Sequence, residues 1–239
     1  MWLRFPQTRA SEMIARELLG TARVPDGEEL KLYRHDRDFM IVLGHNELMS
    51  TRQNGSEIAL ATQSIARIAK AQRPAMLIGG YGMGFTLRAA LEKLPADAHV
   101  TVAELVPEII QWAKGPMAEL EAGCLGDPRV RLVMTDVADV ISANALSVGG
   151  TGYDAILLDV DNGPDGLVRA GNNRLYTMRG LRTAMDALRP GGVLAIWSAA
   201  RDANFTQRLK AAGFNVDEVE VRARTNGKGA KHVIWFASA

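Results

Sequence analysis

Four short stretches carry the residue types that bind and react. Gly79-Gly-Tyr-Gly-Met-Gly84 follows an apolar run and precedes a helical pattern. Gly79, Gly80, Gly82 and Gly84 let backbone approach a ligand closely, at a helix N-terminus whose free amides attract polar groups. The loop departs from the dinucleotide fingerprint, because Phe85 stands where G-x-G-x-x-G begun at Gly80 needs its third glycine. Glu104, followed by Leu105, closes the next apolar run 25 residues beyond Gly79, where a carboxylate can accept both hydroxyls of a ribose. Together the two stretches point to a nucleoside. Taken singly, the loop is also a tight strand-to-helix turn and the glutamate also a solvated carboxylate or a helix cap.

The third stretch is Thr135-Asp136-Val137, in which a carboxylate beside a backbone amide matches the exocyclic amine and ring nitrogen of adenine. Asp136 is equally well placed to cap a helix with no ligand at all. In the fourth, Asp159 runs into Val160-Asp161-Asn162-Gly163-Pro164-Asp165. Asp161, Asn162 and Asp165 are ordinary turn formers. Asp159 is harder to dismiss, since a charge ending a buried strand is costly without a partner.

These residues need a scaffold that brings strand ends together. Ala75–Gly79, Val100–Glu104, Val130–Met134, Ala155–Asp159 and Val193–Trp197 are short apolar runs of the kind buried on both faces of a parallel sheet. Between them, Thr86–Leu94, Pro107–Leu120, Val137–Leu146 and Met178–Leu188 show helical spacing, and Arg189-Pro-Gly-Gly192 reads as the turn that ends the last helix. Val216–Arg224 and His232–Ala237 are strand-like, with a connection too short for a parallel crossover. The last strand is therefore expected to run antiparallel to its predecessor. Upstream, Ser11–Gly20 reads as a short helix, Leu30–Tyr33 and Phe39–Leu43 as a hairpin, and Ser56–Ala71 as a long helix. The expected division is a small N-terminal β-hairpin region over 1–53 and a Rossmann-like α/β domain over 54–239.

Composition limits the partners. The chain has 239 residues, 28 Lys plus Arg against 27 Asp plus Glu, and a net charge of +1, so no global field favours nucleic acid or a membrane. Cys124 is the single cysteine, which suits a reducing cytoplasm and forbids an internal disulfide. The first twenty residues lack a long apolar stretch. His35, His45, His99 and His232 show no metal-ligand spacing, so no metal is expected. Trp197, Trp235 and Phe236 read as core, and the basic segment Arg222–Lys231 as a solvated hairpin.

The motifs together resemble the spermidine synthase (polyamine aminopropyltransferase) family within the S-adenosylmethionine-dependent methyltransferase superfamily. The resemblance spans about residues 29–200 and rests on Met76–Gly84 with Leu87-Arg88, Val102–Ile110, Asp127–Val130 leading to Thr135-Asp136, Tyr153–Asp159 and Leu188–Val193. It implies a class I methyltransferase fold, with a mostly parallel seven-stranded sheet and an antiparallel last strand. It also implies that Glu104 holds the donor's ribose and Asp136 its adenine. The Gly79–Gly84 loop, including Tyr81, would hold the methionine-derived tail, with Leu105 and Val137 as flanking contacts. Asp159 matches the aspartate that helps deprotonate the attacking amine, with Asp161 and Asn162 orienting the acceptor and Tyr81 or Tyr176 walling it. A homodimer is implied as well.

Three departures from the family pattern bear on substrate. The family's glycine loop reads G-G-G-D-G-G, and its tail-binding aspartate falls on Gly82. Its second loop aspartate falls on Asn162, with Asp161 adjacent. Its D-E-x-x-Y-x-E motif is replaced around Gln53-Asn-Gly-Ser-Glu57, so the acidic and aromatic diamine contacts are expected to be largely absent. On that basis the expected activity is methyl transfer from S-adenosylmethionine to an amine or other cationic small molecule. Aminopropyl transfer from decarboxylated S-adenosylmethionine is the alternative, and a non-catalytic nucleoside-binding or dimerisation module the second alternative.

Overall fold

The computed structural model describes residues 15–25, 27–145, 152–160, 163–164 and 170–239. An antiparallel sheet comes first, in the order β1(Glu17–Arg23), β2(Glu29–His35), β3(Asp38–Leu43), β4(Asn46–Ser50). The turn between β2 and β3 places Asp36 in the left-handed region, at φ 58°, which Asp tolerates better than most residues. The helix expected over Ser11–Gly20 is overturned where it can be seen, since Glu17–Gly20 belong to β1 and pair with β2. Residues 11–14 of it lie outside the described residues. β1 and β4 were not expected; β1 alternates little in polarity and β4 is only five residues long.

A seven-stranded sheet follows, built from β5(Ala75–Gly79), β6(His99–Glu104), β7(Val130–Met134), β8(Tyr153–Leu158), β9(Leu188–Ser198), β10(Asn215–Arg222) and β11(Lys231–Ser238). Its order is β10-β11-β9-β8-β5-β6-β7. β7, β6, β5, β8 and β9 pair in parallel, while β11 pairs antiparallel with both β9 and β10. The fold is thus the α/β arrangement expected, with the last strand reversed. Arg189-Pro-Gly-Gly192 is not a separate turn. It already belongs to β9, with a register shift opposite Tyr153–Ala155.

Alternation along the strands sends side chains to two helical layers. On one face Met76 and Ile78 of β5 pack with α1(Gly55–Arg67), α2(Phe85–Lys93), α3(Pro107–Lys114) and the small sheet. On the other, Leu77 joins α5(Val137–Ala145), α7(Met178–Asp186) and α8(Ala203–Ala212). The single helix expected over Pro107–Leu120 is broken into α3 and the short α4(Ala118–Glu121). Gly115 precedes Pro116, whose ring disfavours helical backbone before it and supplies no amide. A one-turn helix, α6(Asn173–Tyr176), precedes α7. Helix α8 was missed in the sequence although its signals are local. Asp202 accepts from the Phe205 amide at 2.9 Å as N-cap, and Gly213 closes the helix at φ 112°.

Buried Asp154 ties three strands of the sheet together. Its Oδ2 accepts from the Ala75 amide at 2.7 Å and from Arg189 Nη1 at 2.5 Å, linking β8 to β5 and β9. Just beyond the carboxyl end of β5 the backbones come too close for a side chain. Gly80 sits at φ 84°, and a Cβ there would lie 2.8 Å from the Asp159 carbonyl oxygen, an atom of backbone that cannot swing away. Gly80→Ala is expected to lower stability by about 2 kcal/mol or more, read as a lower urea midpoint with an unchanged m-value.

Candidate functional site

The carboxyl ends of β5, β6, β7 and β8 open into one cleft, roofed on one side by the small sheet. Gly80, Gly82, Glu104, Leu105, Asp136, Val137 and Asp159 all line it, as do Glu57, Thr135 and Trp197. Val24, Leu30, Ile41, Leu48 and Met49, from the small sheet and the loops beside it, supply an apolar wall. Of the residues predicted from sequence, Asp161 and Asn162 lie outside the described residues. Gly79, Tyr81 and Gly84 are described but do not line the cleft.

The glycine loop is held by the glutamate expected to hold a ligand. Glu104, 7% exposed, accepts from the amides of Tyr81 at 2.9 Å and of Leu105 and Val106 at 2.8 Å. Burial pushes this carboxyl up, and the amide bonds pull against that shift. Gly80 in turn donates to the Ala103 carbonyl at 2.9 Å. Gly79 lies against Val137, and Gly84 begins α2 at φ 75°. Neither aromatic residue expected to wall the site lines the cleft. The Tyr81 hydroxyl lies 3.6 Å from Cys124 Sγ, and Tyr176 packs edge-on against Phe205 with ring centroids 5.7 Å apart.

Asp136 is a helix cap that also faces the cleft. Its Oδ1 accepts from the Ala138 amide at 2.9 Å. Arg174 pairs with it at 2.9 Å and with Asp139 at 2.8 Å. Asp159 is braced from the loop side. The Thr86 hydroxyl donates to its Oδ2 at 3.2 Å, and its own amide donates to the Gly79 carbonyl at 3.2 Å.

The main surprise is Glu57, in the first turn of α1, which lines the same cleft as Asp159. It ends the stretch Gln53–Glu57 and brings that stretch's one carboxylate into the cleft. Burial first, and the Asp159 charge second, push Glu57 up to about 8, against the pull of its Ser56 hydrogen bond. Burial likewise pushes Asp159 up to about 6, opposed by the Thr86 bond. No Lys, Arg or His is among the described residues lining the cleft. Trp197 offers a buried indole N–H with no hydrogen-bond partner, and such an orphaned donor is costly until something accepts from it. No group of three or more His, Cys, Asp and Glu positioned for a metal occurs among the described residues. Nor is any helix among them long and apolar enough to cross a membrane.

No family model matches the chain, but curated proteins and solved structures resemble it. The polyamine aminopropyltransferase of Mycobacterium tuberculosis is 29% identical over 161 residues, covering 65% of this chain and 29% of that protein. That of Corynebacterium efficiens is 27% identical over 194 residues, covering 80% of this chain and 35% of the relative. The aligned stretches thus span about a third of these curated relatives. The chain is spermidine synthase-like. Its fold superposes on spermidine synthase from Thermotoga maritima with a TM-score of 0.69 at 17% identity, covering 92% of this chain and 72% of that one. Human methyltransferase-like protein 13, solved with SAH, gives a TM-score of 0.55 at 20% identity, covering 76% and 78%. The spermidine synthase-like chain therefore carries the methyltransferase fold, and its curated relatives are named for aminopropyl rather than methyl transfer.

The carboxyl pair sets a pH dependence. A carboxyl raised by folding stabilises the native state fully below its unfolded value near 4, and loses that contribution as pH rises through the folded value. Ligand-free protein is thus expected to lose thermal stability between about pH 5 and 9, across the values of about 6 and about 8. Asp38, Asp127 and Glu220, held low by Arg52, Arg129 and Lys231, lose their contributions only at more acidic pH. His232, pushed down by burial, acts with the opposite sign at the acid end. Thermal melts of wild type and Glu57→Gln across this range isolate the carboxyl: the variant should show the flatter alkaline limb.

Proposed function

We propose that the chain transfers an aminopropyl group from decarboxylated S-adenosylmethionine to an amine acceptor. The observation that carries this reading is the Glu57–Asp159 carboxyl pair in a cleft whose described lining holds no cationic side chain. An ammonium leaving water needs a paired anion, and two ammonium groups enter such a reaction: one on the acceptor, one on the decarboxylated donor's tail. S-adenosylmethionine would add a carboxylate that meets further carboxylates and no cation among the described residues that line the cleft. The names of the curated relatives support the same choice.

In this reading Asp159 and Glu57 take a proton from the acceptor ammonium. The freed amine attacks the carbon bonded to the sulfonium, the C–S bond breaks with its electron pair going to sulfur, and a neutral thioether leaves. No charge has to be created on the leaving group, so the protein's work is alignment and proton removal. Glu104 and the glycine loop would receive the ribose and tail, and Asp136 with Val137 the adenine. Where the chain continues through Asp161 and Asn162, those side chains would orient the acceptor.

Methyl transfer is favoured by one specific observation. At Gly82 a Cβ would lie 2.9 Å from Met49, so the position where the family carries a tail-binding aspartate holds a methionine thioether instead. The two donors distinguish the readings. At a hundredfold excess over Kd, the correct donor should stabilise by about 2.7 kcal/mol and raise Tm by roughly 5–10 °C. Decarboxylated S-adenosylmethionine is expected to give the larger shift; a larger shift with S-adenosylmethionine would favour methyl transfer. No shift with either, or with S-adenosylhomocysteine, would favour the non-catalytic module. Asp159→Asn should cut kcat by about a hundredfold or more while donor affinity stays within about twofold.

A further inference from the structure

The buried hydroxyl of Ser56 stands between an acid and a base. Its Oγ donates to Glu57 Oε2 at 2.7 Å and lies 2.9 Å from Nδ1 of His232. Ser56 has no exposed surface, whereas His232 is half-buried and does not line the cleft. The imidazole comes from β11, 176 positions away, and is held edge-on against Trp197 with ring centroids 4.8 Å apart. One side of Trp197 thus faces the cleft and another fixes the histidine. The charged neighbours of His232 on the hairpin are otherwise engaged: Lys231 pairs with Glu220 at 2.5 Å, and Arg222 donates to the Gly229 carbonyl at 3.2 Å. Across Ser56 the imidazole faces Glu57, with Asp159 beyond.

We propose that Ser56 and His232 form a proton exit from the Glu57–Asp159 pair. The inference rests on the transfer reading above, because that reaction releases one proton per turnover. An ammonium acceptor and a sulfonium donor, two positive charges, become one secondary ammonium and a neutral thioether. The proton is left on the carboxyl pair, facing an apolar wall. Protons cross water-poor regions along hydrogen bonds, and this chain supplies them in order. Glu57 gives its proton to Ser56 Oγ as the Ser56 proton moves to Nδ1 of neutral His232. The imidazolium then releases its Nε2 proton to solvent, and hydroxyl rotation with tautomer exchange resets the chain. His232 and Ser56 act through Glu57, so they are positioning residues.

The test uses Ser56→Ala and His232→Gln, two variants made on different elements so that misfolding of one leaves the other informative. Both are expected to lower kcat about tenfold, with donor Kd and amine KM within about twofold of wild type. Added imidazole should restore part of the rate in His232→Gln. In ligand-free protein labelled with ¹⁵N-histidine, the His232 ring should show a second inflection as Glu57 titrates, and Glu57→Gln or Ser56→Ala should abolish it. A ring that titrates as one isolated group overturns the exit without reference to activity. If wild type transfers aminopropyl groups and both variants match it at every pH, the exit is wrong and the transfer reading stands. If wild type transfers nothing from either donor, the reading fails and takes the exit with it.

Discussion

Two carboxyl groups drawn out of water beside each other raise the free energy of both charged forms, and nothing in the described lining around Glu57 and Asp159 offsets this with a cation. The cost is met by holding protons and by hydrogen bonds from Ser56 and Thr86. A cationic ligand relieves the same cost, so the site is built to gain most from the charge it lacks. The rest of the architecture serves this juxtaposition. Parallel strands deliver Asp159 and Glu104 to one edge, the left-handed Gly80 lets the β5 loop pass directly over the Asp159 carbonyl, and α1 swings Glu57 in from the small sheet's side.

Most of the parallel sheet was legible in the sequence because strands buried on both faces must be nearly continuous apolar runs. Ala75–Gly79 and Val130–Met134 match their observed limits, and the short connection before His232 correctly requires a reversed last strand. The N-terminal region was poorly legible. A strand covered on one face should alternate, but Glu17–Arg23 does so only weakly, so Glu17–Gly20 resembles a helix until β2 is seen beside it. Pro107–Leu120 kept helical spacing through Gly115-Pro116, where backbone sterics rather than hydrophobic period decide.

The candidate site divides along the same line. Glu104, Asp136 and Asp159 end strands or begin helices, so local pattern finds them. Glu57 was visible as a residue but not as a partner of Asp159, since about a hundred positions separate them and only the stacking of α1 over the sheet brings them together. Glu104 and Asp136 also show why the ligand-binding and structural readings were hard to separate. Each already satisfies backbone amides, which fixes its carboxylate in place before any ligand arrives.

The placement of β11 between β9 and β10 has a consequence for synthesis. A ribosome delivers β9 well before Lys231–Ser238, and until those eight residues emerge β9 has no partner along one edge. Residues 193–198 of that edge are wholly apolar or small and lie buried in the finished molecule. Unpaired edges of this composition invite pairing with other chains. The last strand is therefore a closing stave: before it slots in, the nascent chain carries a sticky, half-made sheet, and afterwards the same residues are sealed inside it.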